Sequence, residues 1–315
     1  MIRNFKLEQG RTVEVLDGSA SPIMLVVDPT DAEKSLLIHQ HQIDEHNLSS
    51  AVDSDSLPRI ELDFNHLAVI FRHPRAYQAK DNFVFKPNSV GLFLYKEKLI
   101  VIAPDDMPIF EGRSYSKLQN LQAVFLCILS NCISHFYSHL DVINEIANEL
   151  ETKIVKSMEN KNLLQMFAIE KSLVYYVNAI SANGRVIERL KTNAKNSQTD
   201  GLTPEMLEYV DDLAIENAQC LEQAHVFANV FTGMMDVRAS IVNNNLNVLM
   251  KRLTVINVVF MPLNVLAGIG GMSEYSMMTQ GIPWPIAYSM FTIGLTIIGW
   301  ITFIILKHIE KRATF

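Results

Sequence analysis

What the last fifth of this 315-residue chain lacks is charge. Leu253 to Ser273 contains no Asp, Glu, Lys or Arg, and neither does Tyr275 to Leu306. Glu274, set between those runs, is the only acid from residue 237 to residue 309. Cysteine is scarce as well: Cys127, Cys132 and Cys220 are odd in number and show no CxxC spacing. They read as buried free thiols in a reducing compartment. The start, MIRNFKLEQGRT, lacks the apolar core of a signal peptide. There is no P-loop, nucleophile elbow or HExxH, so nothing makes a case for an enzyme.

A basic excess is missing from the body of the chain. Residues 1–250 carry 22 Lys and Arg against 32 Asp and Glu. Only Lys251, Arg252, Lys307, Lys311 and Arg312 follow, against Glu274 and Glu310. An acidic body argues against a nucleic-acid binder, which needs a basic footprint. It would instead raise the local concentration of cations.

The uncharged runs are what is there. A helix crosses the hydrocarbon core with about 20 apolar residues. LTVINVVFMPLNVLAGIGG fits one span, and a second fits from about Ile286 to Leu306. Pro283 and Pro285 punctuate the start of the second, where Trp284 and Tyr288 suit the headgroup level. The two make a tight hairpin. Lys251 and Arg252 flank one outer end and Lys307, Lys311 and Arg312 the other. Both ends are therefore expected in the cytoplasm, with the loop around Ser273 and Glu274 facing outward.

The first span is not uniformly apolar. Asn243, Met250, Asn257, Asn264 and Gly271 recur every seven residues, and Asn247, Thr254, Met261 and Gly268 form a parallel series. Interleaved, they share one stripe of a helix. Polar residues within a span face a neighbouring helix or a water-filled cavity. A simple anchor, with Asn as interhelical glue, competes with a pore. A stripe that runs unbroken from the membrane into a long polar helix favours the pore.

Proline and glycine are nearly absent from the middle of the chain. Ser114 to Lys195 has no Pro and one Gly, Gly184. Apolar residues there fall at helical spacing (Leu118, Leu121, Val124, Phe125; Ile143, Ile146, Leu150), which predicts two long antiparallel helices breaking near Met158-Glu159-Asn160. KNSQTDGLTPE reads as a loop, with Thr203 as N-cap and Pro204 at the first helical position. From Pro204 to the closing glycines, only Gly233 and Pro262 interrupt. A helix that long must project beyond the bilayer as a stalk, its apolar face buried by neighbours. The first 110 residues differ: PIMLVVD, LAVIFRH, NSVGLFLY and KLIVIAPDD are β-type runs with a helical stretch near 31–50, a small α/β domain. The expected organisation is an α+β membrane protein: an α/β domain over 1–112, joined near Gly112 to a helical stalk over 113–252, and a transmembrane hairpin over 253–315.

In this order of parts, and most sharply in LNVLMKRLTVINVVFMPLNVLAGIGGMSEY (246–275), the chain resembles the CorA family of divalent-cation channels and transporters. LPRIELDFNHLAVIFRH and FLYKEKLIVI are weaker echoes in the α/β domain. The resemblance implies a homopentameric funnel in the cytoplasmic membrane, with the first span of each subunit lining the pore. Carried over, Asn247, Met250, Leu253, Asn257, Met261, Asn264 and Gly268 face the axis, in agreement with the stripe. No carboxylate ring is expected along the span; Asn would hydrogen-bond water around an ion while Met and Leu collars gate. Lys251 and Arg252 are expected to face outward.

The departure is at the mouth. The family carries Gly-Met-Asn after the first span, and an aromatic residue before it. Here Gly270 precedes Gly271-Met272-Ser273. Mg²⁺ keeps its waters, so a mouth recognises the hydration shell by hydrogen bonding. Ser offers a single hydroxyl of shorter reach than an amide. Glu274 could supply a carboxylate ring there, or be only a solvated loop acid.

Metal could also bind elsewhere. His39, His41 and His46, with Asp44 and Glu45, could take Zn²⁺ or Ni²⁺, or be solvated surface groups. The resemblance implies acidic pairs that bind regulatory metal between subunits, with Asp105-Asp106 and Asp211-Asp212 as candidates by composition. The reading is a divalent-cation channel or transporter in the bilayer, with the metal ion as substrate and possible regulator, no obligatory cofactor and no nucleic-acid partner. Within transport the alternative is a zinc-type relative; outside it, a non-conducting membrane scaffold.

Overall fold

A computed structural model describes the backbone of residues 1–8, 11–15, 21–75, 84–106, 120–156, 160–196 and 204–313. It divides into two compact units, Met1–Gly233 and Met234–Phe315, so the packing division falls within one long helix.

The first unit is built on a seven-stranded sheet in the order β2-β1-β3-β7-β6-β5-β4. Its strands are β1 (Ile2–Glu8), β2 (Arg11–Val15), β3 (Ile23–Val27), β4 (Arg59–Leu62), β5 (His66–Pro74), β6 (Pro87–Tyr95) and β7 (Leu99–Ala103). Only β3 and β7 pair in parallel, Ile23 opposite Leu99; every other pairing is antiparallel. The four β-type runs seen in the sequence are the central strands β3, β5, β6 and β7. Buried on both faces, they read as continuous apolar runs. β2 and β4 escaped notice because edge strands carry charge against unwanted pairing: Arg11, Glu14, Arg59 and Glu61 interrupt their apolar pattern, as Arg3 and Lys6 do in β1, the strand next to the edge.

Helices cover both faces. On one side α1 (Asp31–His41) and α2 (Glu45–Val52) pack Leu37, Ile43, Leu48 and Ala51 on Ala68, Ile70, Phe93, Ile100 and Ile102. Thr30 opens α1 with a reciprocal capping box to Glu33, and Gln42 ends it in the left-handed region. Asp44 then caps α2 through the amides of His46 and Asn47. Gly91 of β6 lets α2 come close, since a Cβ there would lie 2.5 Å from that of Ala51.

The other face receives α3 (Leu121–Lys156) and α4 (Asn160–Asn196). These are the two long antiparallel helices that the scarcity of Pro and Gly predicts; Asn120 caps the first through the amide of Ala123. α3 ends at Lys156 and α4 begins at Asn160, which agrees with a break near Met158-Glu159-Asn160; residues 157–159 lie outside the described residues. So do Gly112, Leu118 and Thr203. Asn183 of α4 extends the sheet edge beyond the end of β4: its amide accepts from the Arg72 N–H (2.8 Å) and donates to the Arg72 carbonyl (2.9 Å). Gly184 is next to it for a reason. Asn217 of α5 (Pro204–Gly270) donates to the Ile180 carbonyl at 3.1 Å, and a Cβ on residue 184 would lie 2.9 Å from that Asn217 nitrogen.

Among the described residues, three helices are long and apolar enough to cross a membrane by composition. In α3, 56% of the most apolar stretch is buried inside the protein, against 6% in α5 and none in α7 (Trp284–Ala313). The apolar face of α3 is thus already used by the fold, whereas the most apolar stretches of α5 and α7 are left almost wholly uncovered. In the second unit they are linked by the short α6 (Ser273–Met278), where the sequence suggested a loop. Pro283 sits just before α7, its carbonyl accepting from Ile286 and Ala287.

Candidate functional site

The C-terminal part of α5 has two sides. Val255, Val259, Leu263 and Leu266 are partly shielded and Gly270 is buried. At about 100° per residue these five fall on one side of the helix. The same side meets α7: a Cβ on Gly299 would lie 3.2 Å from Leu263 Cδ1, and one on Gly270 would lie 2.6 Å from Phe291 Cε1. Helix approach this close needs glycine at the contact.

Asn257, Met261, Asn264 and Gly268 lie roughly half a turn away, on the opposite side. All four are exposed, as are Asn247, Met250 and Leu253 below them. The stripe read from seven-residue spacing is therefore the face that α7 leaves open. Asparagine amides on that face gain nothing from the hairpin itself. Thr254 is less available, because its hydroxyl donates to the Met250 carbonyl at 2.9 Å. Pro262 is accommodated inside the helix, and Pro cannot donate to the carbonyl of Val258.

The stripe ends where the helix ends. The Gly271 amide donates to the carbonyls of Ala267 (3.1 Å) and Gly268 (3.2 Å), and Met272 donates to Ile269 (3.1 Å). Gly271, Met272 and Ser273 are exposed at this turn, and Ser273 begins α6. The side chain of Glu274 lies outside the described residues.

The candidate regulatory ligands are placed as follows. Asp105 accepts from Asn88 and lies 3.7 Å from Arg75; Asp106 lies 3.3 Å from Arg3. Asp211 pairs with Lys191 at 2.8 Å, and Asp212 is exposed. His39 and His46 are exposed on different helices. His41 Nε2 lies 3.4 Å from the Lys98 ammonium; burial first, and that charge second, hold its pKa below the ordinary value. Among the described residues no three His, Cys, Asp or Glu side chains come together as a metal site.

A different histidine group does assemble, unmarked by any sequence motif. His73 Nε2 on β5 lies 2.8 Å from His135 Nδ1 on α3, and His139 Nδ1, one turn on, lies 2.9 Å from the Tyr176 hydroxyl on α4. Burial pushes His73 down to about 3 and His139 to about 4, with the neighbouring histidines adding to it. His135 is lowered by burial as well. His135 and His139 share a face by their spacing of four, but only the fold brings His73 to them.

The chain matches the sequence profile of the CorA-like Mg²⁺ transporter protein family over residues 24–309. It is 24% identical to the cobalt/magnesium transport protein CorA of Methanocaldococcus jannaschii over 256 residues, 78% of either chain. Against the protein of that name from Thermotoga maritima it is 21% identical over 264 residues, 81% of this chain and 72% of the relative. The complete structure of the CorA magnesium transporter from M. jannaschii superposes with a TM-score of 0.76, covering 99% of this chain and 96% of that one at 20% identity. The cytoplasmic domain of ZntB from Vibrio parahaemolyticus gives 0.60 at 12% identity, over 77% and 98% of the two chains. With most of its length matched to one profile and its fold shared from the α/β sheet to the C-terminal helices, this chain belongs to the CorA-like Mg²⁺ transporter family.

Proposed function

We propose that this protein is a divalent-cation transporter that conducts hydrated ions along the open face of α5. The observation that carries this reading is the opposition of the two faces: the uncharged side bearing Asn257 and Asn264 is the one that α7 does not cover. An exposed amide in the hydrocarbon core is costly unless it meets water or another polar group. A water-filled pore shared by several subunits satisfies it. Membership of the family and the names of its cobalt- and magnesium-transporting relatives support the same substrate class.

Within this reading the assembly is a homopentamer in the cytoplasmic membrane with both termini inside. Asn247, Met250, Leu253, Asn257, Met261, Asn264 and Gly268 line the path, and Gly271 to Glu274 form the mouth. Amides replace part of the bulk water around the ion, and Met and Leu collars close the path by dewetting. A regulatory metal, if one binds, draws Asp105, Asp106 or Asp211 away from its arginine or lysine, so it binds weakly within one subunit. Whether Zn²⁺ is carried depends on the mouth.

Cysteine accessibility tests the two faces. The native thiols are buried, and burial pushes Cys132 and Cys220 up to about 12, which keeps background reaction low. Asn264→Cys is expected to react with a charged, water-borne thiol reagent and be protected by divalent ions, while Leu266→Cys stays unreactive. Equal reaction at both positions would remove the pore.

A further inference from the structure

Gly270 is the last residue of α5, and the three residues after it are the exposed turn Gly271-Met272-Ser273. Its helix end is closed by backbone bonds, with the Gly271 amide shared between Ala267 and Gly268 and the Met272 amide donating to Ile269. The rigid element beneath it is an aromatic ring. Phe291 of α7 fills the volume a side chain at 270 would take, with Cε1 2.6 Å and Cε2 3.1 Å from the Cβ position. Ala287, one turn earlier on α7, is buried, whereas Gly268 and Gly294 have open space where their side chains would be. The close approach is thus local to the last turn before the mouth, with Leu263 against Gly299 as a looser contact two turns away.

From this geometry we infer that Phe291 is a positioning residue for ion selection. Its ring seats the end of α5 and so fixes where the Gly271-Met272-Ser273 turn stands. A mouth that selects by hydrogen bonds to a hydration shell depends on donor and acceptor positions held to within about half an ångström. An aromatic ring is suited to that role because it has few rotamers to lose. The inference rests on the transport reading and adds to it a residue that touches neither ion nor pore.

The test is the ratio of Mg²⁺ to Co²⁺ flux in proteoliposomes of the full chain, with oligomer integrity followed by size exclusion. Phe291→Ala is expected to leave the oligomer intact and shift the ratio about tenfold, which corresponds to about 1.4 kcal/mol between the two ions. Phe291→Leu should fall between, and the exchange Gly270→Phe with Phe291→Gly should return the ratio towards the parent by refilling the same volume. An unchanged ratio in Phe291→Ala overturns the inference, as does disassembly in Phe291→Ala with a parental ratio in Phe291→Leu, which makes the ring structural only. Absence of flux from the parent protein in intact oligomers would instead overturn the transport reading, and this inference with it.

Discussion

His73 Nε2 and His135 Nδ1, 2.8 Å apart, join the central sheet to the helix that leads away from it. His73 is buried and its Nδ1 has no hydrogen-bond partner among the described residues. Its folded pKa of about 3 lies well below the ordinary 6.5, because burial disfavours the charged ring and His135 and His139 add repulsion. Across the strand pair, Asn88 stands opposite His73 and donates to Asp105, which also faces Arg75. Tyr176 is the titratable group from α4, and its own pKa is raised by burial.

Acid should therefore loosen this seam. An unfolded histidine takes up its proton as pH falls through 6.5, while the folded His73 stays neutral until far lower. Stability is fully present above about pH 6.5 and declines below it, by about 1.4 kcal/mol per pH unit for each histidine kept neutral. Thermal unfolding between pH 7.5 and 5 should show that decline, and His73→Gln should flatten it. An identical slope in the variant would mean that the lost stability lies elsewhere.

Gly184 gives a second test, of packing. Gly184→Leu must displace the Asn217 amide from the Ile180 carbonyl. The expected cost is about 1–3 kcal/mol, as for other forced insertions into a packed interior. Chemical denaturation would read it as a lower midpoint. No change would show that α4 and α5 can separate there without penalty.

How much of this was legible in the residues depends on the length scale of the signal. Long helices declared themselves because Pro and Gly are missing from them, and the open face of α5 because seven-residue spacing is a local property of one helix. The partners of a residue are not local. Nothing near position 270 says that Phe291 fills the space beside it, and nothing near His135 announces His73. The edge strands were hidden for a separate reason: residues that prevent edge pairing also disguise the strand. The IHQHQIDEHN cluster shows the converse, since closeness along the chain placed His39 and His46 on separate helices and His41 beside a lysine.

Ser273 tests the origin of selectivity. Ser273→Asn lengthens the polar reach of the mouth and restores an amide carbonyl to it. The Mg²⁺ share of total divalent flux should rise several-fold, since each gained hydrogen bond contributes about 1 kcal/mol. Competition between Mg²⁺ and Co²⁺ in one vesicle population measures this. A fall in the Mg²⁺ share would assign selection to another ring.

Divalent-ion flux into proteoliposomes, parent protein against Asn264→Leu, is the most direct test of the central claim. The substitution keeps the number and branching of the side-chain heavy atoms, removes the amide from the open face of α5, and leaves the Gly270–Phe291 contact alone. Flux is expected in the parent and near-complete loss in Asn264→Leu, with the oligomer unchanged by size exclusion. Parental flux in Asn264→Leu, or none in either from intact oligomers, would contradict conduction along that face.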